Sequence, residues 1–178
     1  MTKTLSIEDV KTQIRNVPNF PKEGIIFRDI TTGIKNGDTI RFMIDWLCDQ
    51  FSDSKIDYIA GIESRGFIFG MPMAYKLGCG FIPIRKPNKL PAKTVSESYG
   101  LEYGTDTIEI HADAIEKGAN VLVVDDLLAT GGTAFAACNL VKKIGGNLVG
   151  TAFLIELKDL HGREKLKDCG KTVSMLEY

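Results

Sequence analysis

The stretch VLVVDDLLATGGT, Val121 to Thr133, constrains this chain more than any other part of it. A run of valines and a leucine is expected to form a strand buried on both faces. Two adjacent carboxylates, Asp125 and Asp126, follow at its C-terminal end, where open α/β sheets bind their ligands. Ala129, Thr130, Gly131, Gly132 and Thr133 then make a small glycine-containing turn that opens a helix. Such a turn aims backbone N–H groups at one centre, and the helix N-terminus adds partial positive charge. Thr130 and Thr133 add hydroxyl donors. This equipment suits a phosphate monoester, and the carboxylates suit sugar hydroxyls. Apolar residues and glycines alone would mean only a strand, a turn and a capped helix. The Asp pair argues against that, because like charges side by side repel and are costly at a strand end unless exposed or partnered. The stretch is neither a Walker loop nor a Rossmann fingerprint: no Gly-Lys-Ser/Thr follows its first glycine, and the spacing Gly-x-Gly-x-x-Gly is absent.

Composition closes off several function classes. The 178 residues, 44% hydrophobic and 25% charged, fit one domain with a full core. A net charge of −1 gives no general pull toward nucleic acid or an anionic membrane. No apolar run approaches the length of a membrane span, and the N-terminus lacks a signal peptide's apolar segment. The expected location is therefore the cytoplasm. Cys48, Cys79, Cys138 and Cys169 are scattered, and only His111 and His161 accompany them, which argues against a zinc site. They are read as reduced packing residues. So few histidines also argue against chemistry built on a histidine base.

Along the chain, Ser6 is expected to cap a helix, with Asp9 three residues on and a Leu5/Val10 staple. Ile7, Val10, Ile14 and Val17 hold helical spacing until Pro18. Residues 19–31, by composition alone, are a connecting loop with a buried Ile-Ile-Phe anchor. Asp38 is expected to cap a helix whose face carries Ile40, Met43, Ile44, Leu47 and Phe51. A strand over Ile56 to Ile62 ends in ESRG and leads into a helix closed by Gly78. Arg65 thus repeats the position of the phosphate turn, just past a strand and just before a helix. GFIPIR is the next strand, and Arg85, Lys86, Lys89 and Lys93 crowd the segment after it, which points to an anion. Residues 90–104 are polar and small, long for a plain connection, and lid-like. TDTIEIHAD alternates as an antiparallel strand should. A helix over Ala134 to Ile144, the strand LVGTAFLIE, a short helix in HGREKLKDCG and the strand TVSMLEY complete the chain. Strands alternating with helices give an α/β fold, a parallel sheet flanked by helices on both faces.

VVDDLLATGGT resembles, along its full length, the phosphoribosyl-pyrophosphate (PRPP) motif of the type I phosphoribosyltransferases. GIIFRDIT, GIESRGFIFG, RKPNKLPAKT, SYGLEYGTDTIEI and AFLIEL stand in the order and approximate spacing of the adenine phosphoribosyltransferases within that class. The resemblance covers nearly the whole chain. It implies a single domain over residues 1–178, with a small hood at about 1–35 and an antiparallel lid hairpin at about 90–112. It also implies transfer of the phosphoribosyl group of PRPP to adenine, giving AMP and pyrophosphate with Mg2+, in a homodimer. The two departures worth weighing are an enzyme for a 6-oxopurine and a non-catalytic PRPP or nucleotide sensor. A sensor would need an appended domain, for which 178 residues leave no room.

The resemblance also assigns roles. Asp125 and Asp126 would hold the ribose 2′- and 3′-hydroxyls, and Ala129, Thr130, Gly131, Gly132 and Thr133 the 5′-phosphate. Arg65 would stabilise the leaving pyrophosphate, with Ser64 in the same turn after a cis peptide at Glu63–Ser64. Arg85, Lys86 and Lys89 would also meet the pyrophosphate. The main chain around Ile26 and Arg28 would read adenine, with Phe27 and Leu127 packed near the base, which replaces the loop reading of residues 19–31. Glu102 would take the N9 proton from a lid that Tyr103 helps to close. Mg2+ would be held mainly by PRPP and water. The family often has glycine where Asn88 stands, and asparagine tolerates the left-handed backbone such a turn needs.

Overall fold

Helix α1, Ile7–Thr12, begins with a complete capping box: Asp9 N–H donates to the Ser6 hydroxyl, and the Ser6 N–H donates to the Asp9 carboxylate. The helix stops at Thr12, earlier than its apolar spacing predicts. Val10 and Ile14 are buried as that spacing requires, but Arg15–Pro18 leaves the helix as strand β1 and pairs antiparallel with β2, Ile26–Asp29. Pro18 pushes Val17 toward extended backbone, and the Arg15 guanidinium meets the Asp29 carboxylate at 2.5 Å across the pair. Residues 26–29 are thus a strand and not part of a loop. These strands, the short helix α2, Thr31–Ile34, and most of α3, Gly37–Asp49, form a first compact unit that ends at Trp46. Asn36, not Asp38, caps α3, since its side chain accepts from the N–H groups of Asp38 and Thr39. This computed structural model describes residues 5–100 and 104–178.

The second unit, Leu47–Tyr178, is built on a parallel sheet. Its strands are β3, Tyr58–Ile62; β4, Gly80–Ile84; β7, Asn120–Leu128; β8, Asn147–Glu156; and β9, Lys171–Glu177. They lie in the order β4-β3-β7-β8-β9, and every neighbouring pair is parallel. Helix α4, Gly66–Leu77, follows β3, and helix α5, Gly132–Lys143, follows β7. Side chains alternate across a strand, so the two helices cover opposite faces. Ile59 and Gly61 of β3 face the α4 side, where Phe67 and Gly70 meet the Phe81 ring. Ala60, Ile62, Val121 and Val123 share a buried cluster with Ala134, Ala137, Cys138 and Val141 of α5.

A separate hairpin, β5 (Thr94–Gly100) against β6 (Thr105–His111), packs on α5. Ile108 and Ile110 of β6 enter the α5 cluster, as their alternation predicts. Residues 94–100, polar and small by composition, form the first strand of the antiparallel hairpin that the resemblance implies, with β6 supplying the backbone partners. Helix α4 ends at Gly78 in the left-handed region, φ 67°, as expected of a glycine cap. The short helix expected in HGREKLKDCG is a 3-10 turn, Gly162–Leu166. The four cysteines form no disulfide; Cys48, Cys138 and Cys169 are buried. No helix among the described residues is long and apolar enough to cross a membrane.

Candidate active site

Strands β3 and β7 are neighbours, and their C-terminal ends open into two adjoining cavities of about 170 and 180 Å³. Both are lined by Arg65, Asp125, Asp126 and Thr133. The first adds Ser64, Lys86 and Tyr99, and the second adds Leu127 and the whole turn from Ala129 to Gly132. This is the edge of a parallel sheet where ligands bind. A hollow of about 620 Å³ lies at the other end of β3, beside Asp57 and Tyr58, away from that edge.

Strand β7 runs on through the Asp pair to Leu128, so Asp125 and Asp126 point to opposite faces of a paired strand. The Asp126 N–H donates to Asp125 Oδ1 at 2.9 Å. Burial holds the Asp125 carboxyl well above the usual carboxylate range, and the Asp126 charge pushes it further. Burial also raises Asp126, while Arg65 opposes that rise. The Arg65 Nε stands 2.8 Å from Asp126 Oδ2, with the Asp126 side chain only 7% exposed.

Gly131, just before α5, sits at φ 78°, a backbone region that suits glycine, and no side chain caps the helix among the described residues. The dipole of that helix N-terminus favours an anion there. The Glu63–Ser64 peptide is cis. Glu63 grips the basic segment: it accepts from Arg85 at 2.9 and 3.2 Å and from the Lys86 N–H at 3.0 Å. The Arg85 hydrogen bonds hold the Glu63 carboxyl below its usual range. The Lys86 ammonium pairs with Asp106 and reaches the Tyr99 hydroxyl at 3.3 Å, which joins the basic segment to the hairpin. Arg85 donates further to the Lys89 carbonyl at 3.1 Å, while Lys89 itself is exposed.

Residues 29–177 match the model of the phosphoribosyl transferase domain. An adenine phosphoribosyltransferase of a Cyanothece species is 61% identical over 96% of this chain and 99% of its own length. Its counterpart in Brachyspira hyodysenteriae is 55% identical with the same coverage. The crystal structure of the adenine phosphoribosyltransferase from Thermoanaerobacter pseudethanolicus superposes with a TM-score of 0.94 at 48% identity, over 97% of this chain and 100% of the other. That of the Saccharomyces cerevisiae enzyme complexed with adenine and an imino-altritol bisphosphate gives 0.90 at 42% identity, over 96% and 98%. This chain belongs to the adenine phosphoribosyltransferases.

Of the residues that an adenine phosphoribosyltransferase is expected to use, the second unit gathers Ser64, Arg65, Lys86, Asp125, Asp126, Leu127 and the turn from Ala129 to Thr133 around the two cavities. Ile26, Phe27 and Arg28 stand on β2 of the first unit. Within its sheet that strand pairs antiparallel with β1. Phe27 is braced edge-to-face by Phe20 at 5.3 Å, and the Arg28 guanidinium meets Asn16 Oδ1 at 2.5 Å. Asn88 takes the left-handed backbone that its place in RKPNKLP calls for, φ 64°. Glu102 and Tyr103 lie outside the described residues. Glu63, Tyr99 and Asp106 escaped the sequence reading. Glu63 had a signal, its place beside Ser64 at a strand end; Tyr99 and Asp106 had none beyond the hairpin that carries them.

Proposed function

We propose that this adenine phosphoribosyltransferase moves the 5-phosphoribosyl group of PRPP to N9 of adenine, giving AMP and pyrophosphate. The arrangement that carries this reading is an Asp pair, an uncapped helix N-terminus and Arg65 around one strand end. A phosphate, a ribose and a pyrophosphate are three groups in series, and these are three complementary receptors in series.

Asp125 and Asp126 accept hydrogen bonds from the ribose hydroxyls, and Ala129 to Thr133 hold the 5′-phosphate through backbone N–H groups and hydroxyls. The bond from C1′ to the pyrophosphate oxygen breaks and its electron pair leaves with pyrophosphate, while N9 of adenine forms the new bond to C1′. Arg65 with Ser64, and the basic group Arg85, Lys86 and Lys89, stabilise the charge that grows on the leaving group. The N9 proton passes to Glu102, and Tyr103 helps to exclude water that would hydrolyse PRPP. Ile26 and Arg28 present main-chain groups to the amino group and ring nitrogens of adenine, with Phe27 and Leu127 near the ring. Mg2+ would arrive with PRPP and be held mainly by it and by water. The hard oxygens of the Asp pair would suit such a complex, and Mg2+ would supply charge neutralisation on the pyrophosphate.

We further propose a homodimer in the cytoplasm, acting on small molecules without nucleic acid or membrane. Met71 and Tyr75, one turn apart on α4 and 52% and 89% exposed, support a second copy as the partner of that face. The deciding experiment is turnover with PRPP, Mg2+ and each purine base in turn. AMP from adenine alone supports the proposal. Turnover of a 6-oxopurine instead reassigns the base, and PRPP binding without turnover of any base makes the chain a sensor.

A further inference from the structure

Beyond Glu156 the chain makes a 3-10 turn over Lys158–Leu160, passes His161 with φ 51°, and turns again over Gly162–Leu166. None of these residues lines the two cavities described above. Gly162 is nonetheless buried, and what buries it is the phosphate turn. A Cβ on Gly162 would stand 2.1 Å from the Ala129 carbonyl oxygen and 2.9 Å from the Gly131 nitrogen. A Cβ on Gly131 would stand 2.4 Å from the Gly162 carbonyl oxygen. The two backbones touch with no side chain between them, so the Gly162 peptide is the rear wall of the turn.

The wall is itself clamped. Arg163 Nε donates to Glu156 Oε1 at 3.0 Å, its Nη2 pairs with Glu156 Oε2, and its Nη1 donates to the Thr172 carbonyl at 2.7 Å. The Ser174 hydroxyl donates to Glu156 Oε2 at 2.7 Å. Glu156 is 4% exposed and ends β8, while Thr172 and Ser174 belong to β9. Burial acts to raise the Glu156 carboxyl, and its hydrogen bonds from Arg163 and Ser174 outweigh that, leaving it below the usual range. A forked guanidinium on a buried carboxylate fixes geometry as well as charge. Leu166, 1% exposed, fastens the far end of the turn into the α5 cluster.

We propose that Gly162, held in place by the Arg163–Glu156 clamp, is a positioning residue that sets the depth and aim of the Ala129–Thr133 turn for a 5′-phosphate. This rests on reading that turn as the phosphate site. The clamp transmits the rigidity of β8 and β9 to the rear of the turn, while the Tyr99 ring lies against Gly132 from the hairpin. A displacement of the turn redirects several N–H donors at once, and misplacement by about 1 Å can cost about 100-fold.

The test compares Gly162→Ala, Arg163→Ala, Arg163→Lys and the turn variant Thr133→Ala with the parent enzyme. The readouts are AMP affinity and adenine affinity by calorimetry, kcat, and KM for PRPP and for adenine. Gly162→Ala and Arg163→Ala are expected to weaken AMP and raise the PRPP KM by about 10- to 100-fold, with adenine affinity within about twofold. Arg163→Lys is expected to recover part of that loss. A folded Gly162→Ala or Arg163→Ala that binds AMP as the parent does, while Thr133→Ala weakens it, overturns the positioning role and leaves the phosphate turn standing. Unchanged AMP affinity in Thr133→Ala as well would remove the phosphate reading and this inference with it. Should Gly162→Ala not fold, Arg163→Ala decides by the same criterion.

Discussion

The Arg65 Nε lies 2.8 Å from Asp126 Oδ2, so a cation assigned to the departing pyrophosphate also neutralises a carboxylate assigned to the ribose. On the proposed reading, one side chain therefore serves both halves of the substrate. Arg65→Ala should lower kcat by about 100- to 1,000-fold, the usual effect of removing one transition-state charge stabiliser. It should also cost about 1–3 kcal/mol of stability, toward the low side for a buried pair because the guanidinium is 38% exposed. Steady-state kinetics and thermal unfolding check both; a kcat within a few-fold of the parent would remove Arg65 from the chemistry.

Asp125 places function and stability in opposition. Burial first, then Asp126, raises its carboxyl above the usual range. An acid raised on folding is harmless below its ordinary pKa and destabilises as pH climbs through the raised value. Asp125→Asn keeps an acceptor for the Asp126 N–H and removes the charge. Its Tm at pH 7 should rise by about 2–4 °C, while PRPP turnover falls by about 100-fold. A Tm lower than the parent's at both pH 5 and pH 7 would contradict this account.

Asp29 has the opposite sign. Hydrogen bonds from the Thr31 side chain, then Arg15, then the Thr31 backbone, hold its pKa at about 2. A carboxylate depressed on folding stabilises fully above its ordinary pKa and loses that contribution as pH falls toward about 2. Asp29→Asn should therefore lose about 1–2 kcal/mol at pH 7, discounted because Arg15 is 59% exposed. Acid titrations followed by circular dichroism should show parent and variant converging below pH 3; parallel curves down to the acid limit would argue against it.

Lys86 is shared between hairpin and site through Asp106 and the Tyr99 hydroxyl. The Lys86 hydrogen bond is also the main cause holding the Asp106 carboxyl below its usual range. Asp106→Asn should free the ammonium from its charge partner and raise the PRPP KM by about 3- to 10-fold, with adenine KM unchanged. An adenine KM that rises in step would place Asp106 in general folding of the hairpin instead.

The parts of the fold that were legible were those with local causes. The β7 run, the glycine end of α4 and the α5 face are written in consecutive residues, and so is the Asp pair beside its turn. Residues 15–18 were not, because the helical spacing of Val10, Ile14 and Val17 continues past the point where pairing with Ile26–Asp29 takes over. Asn36 was overlooked as a cap because Asp38 stood closer to the apolar face. TVSESYG carries no strand signal in its composition; its hairpin was legible only through the family resemblance, and β6 supplies its partners. Glu63, Asp106 and Gly162 acquire their meaning only from neighbours far along the chain.

The contact between Gly131 and Gly162 also limits how this sequence can drift. Most tight contacts in a protein can be eased by trimming a neighbouring side chain. Here the obstructing atoms are a carbonyl oxygen on each side and a main-chain nitrogen, which no codon change can shrink. Neither position can acquire a side chain first and await a compensating change in the other. The two glycines therefore form a mutational dead end, and variation in this part of the fold must go around them.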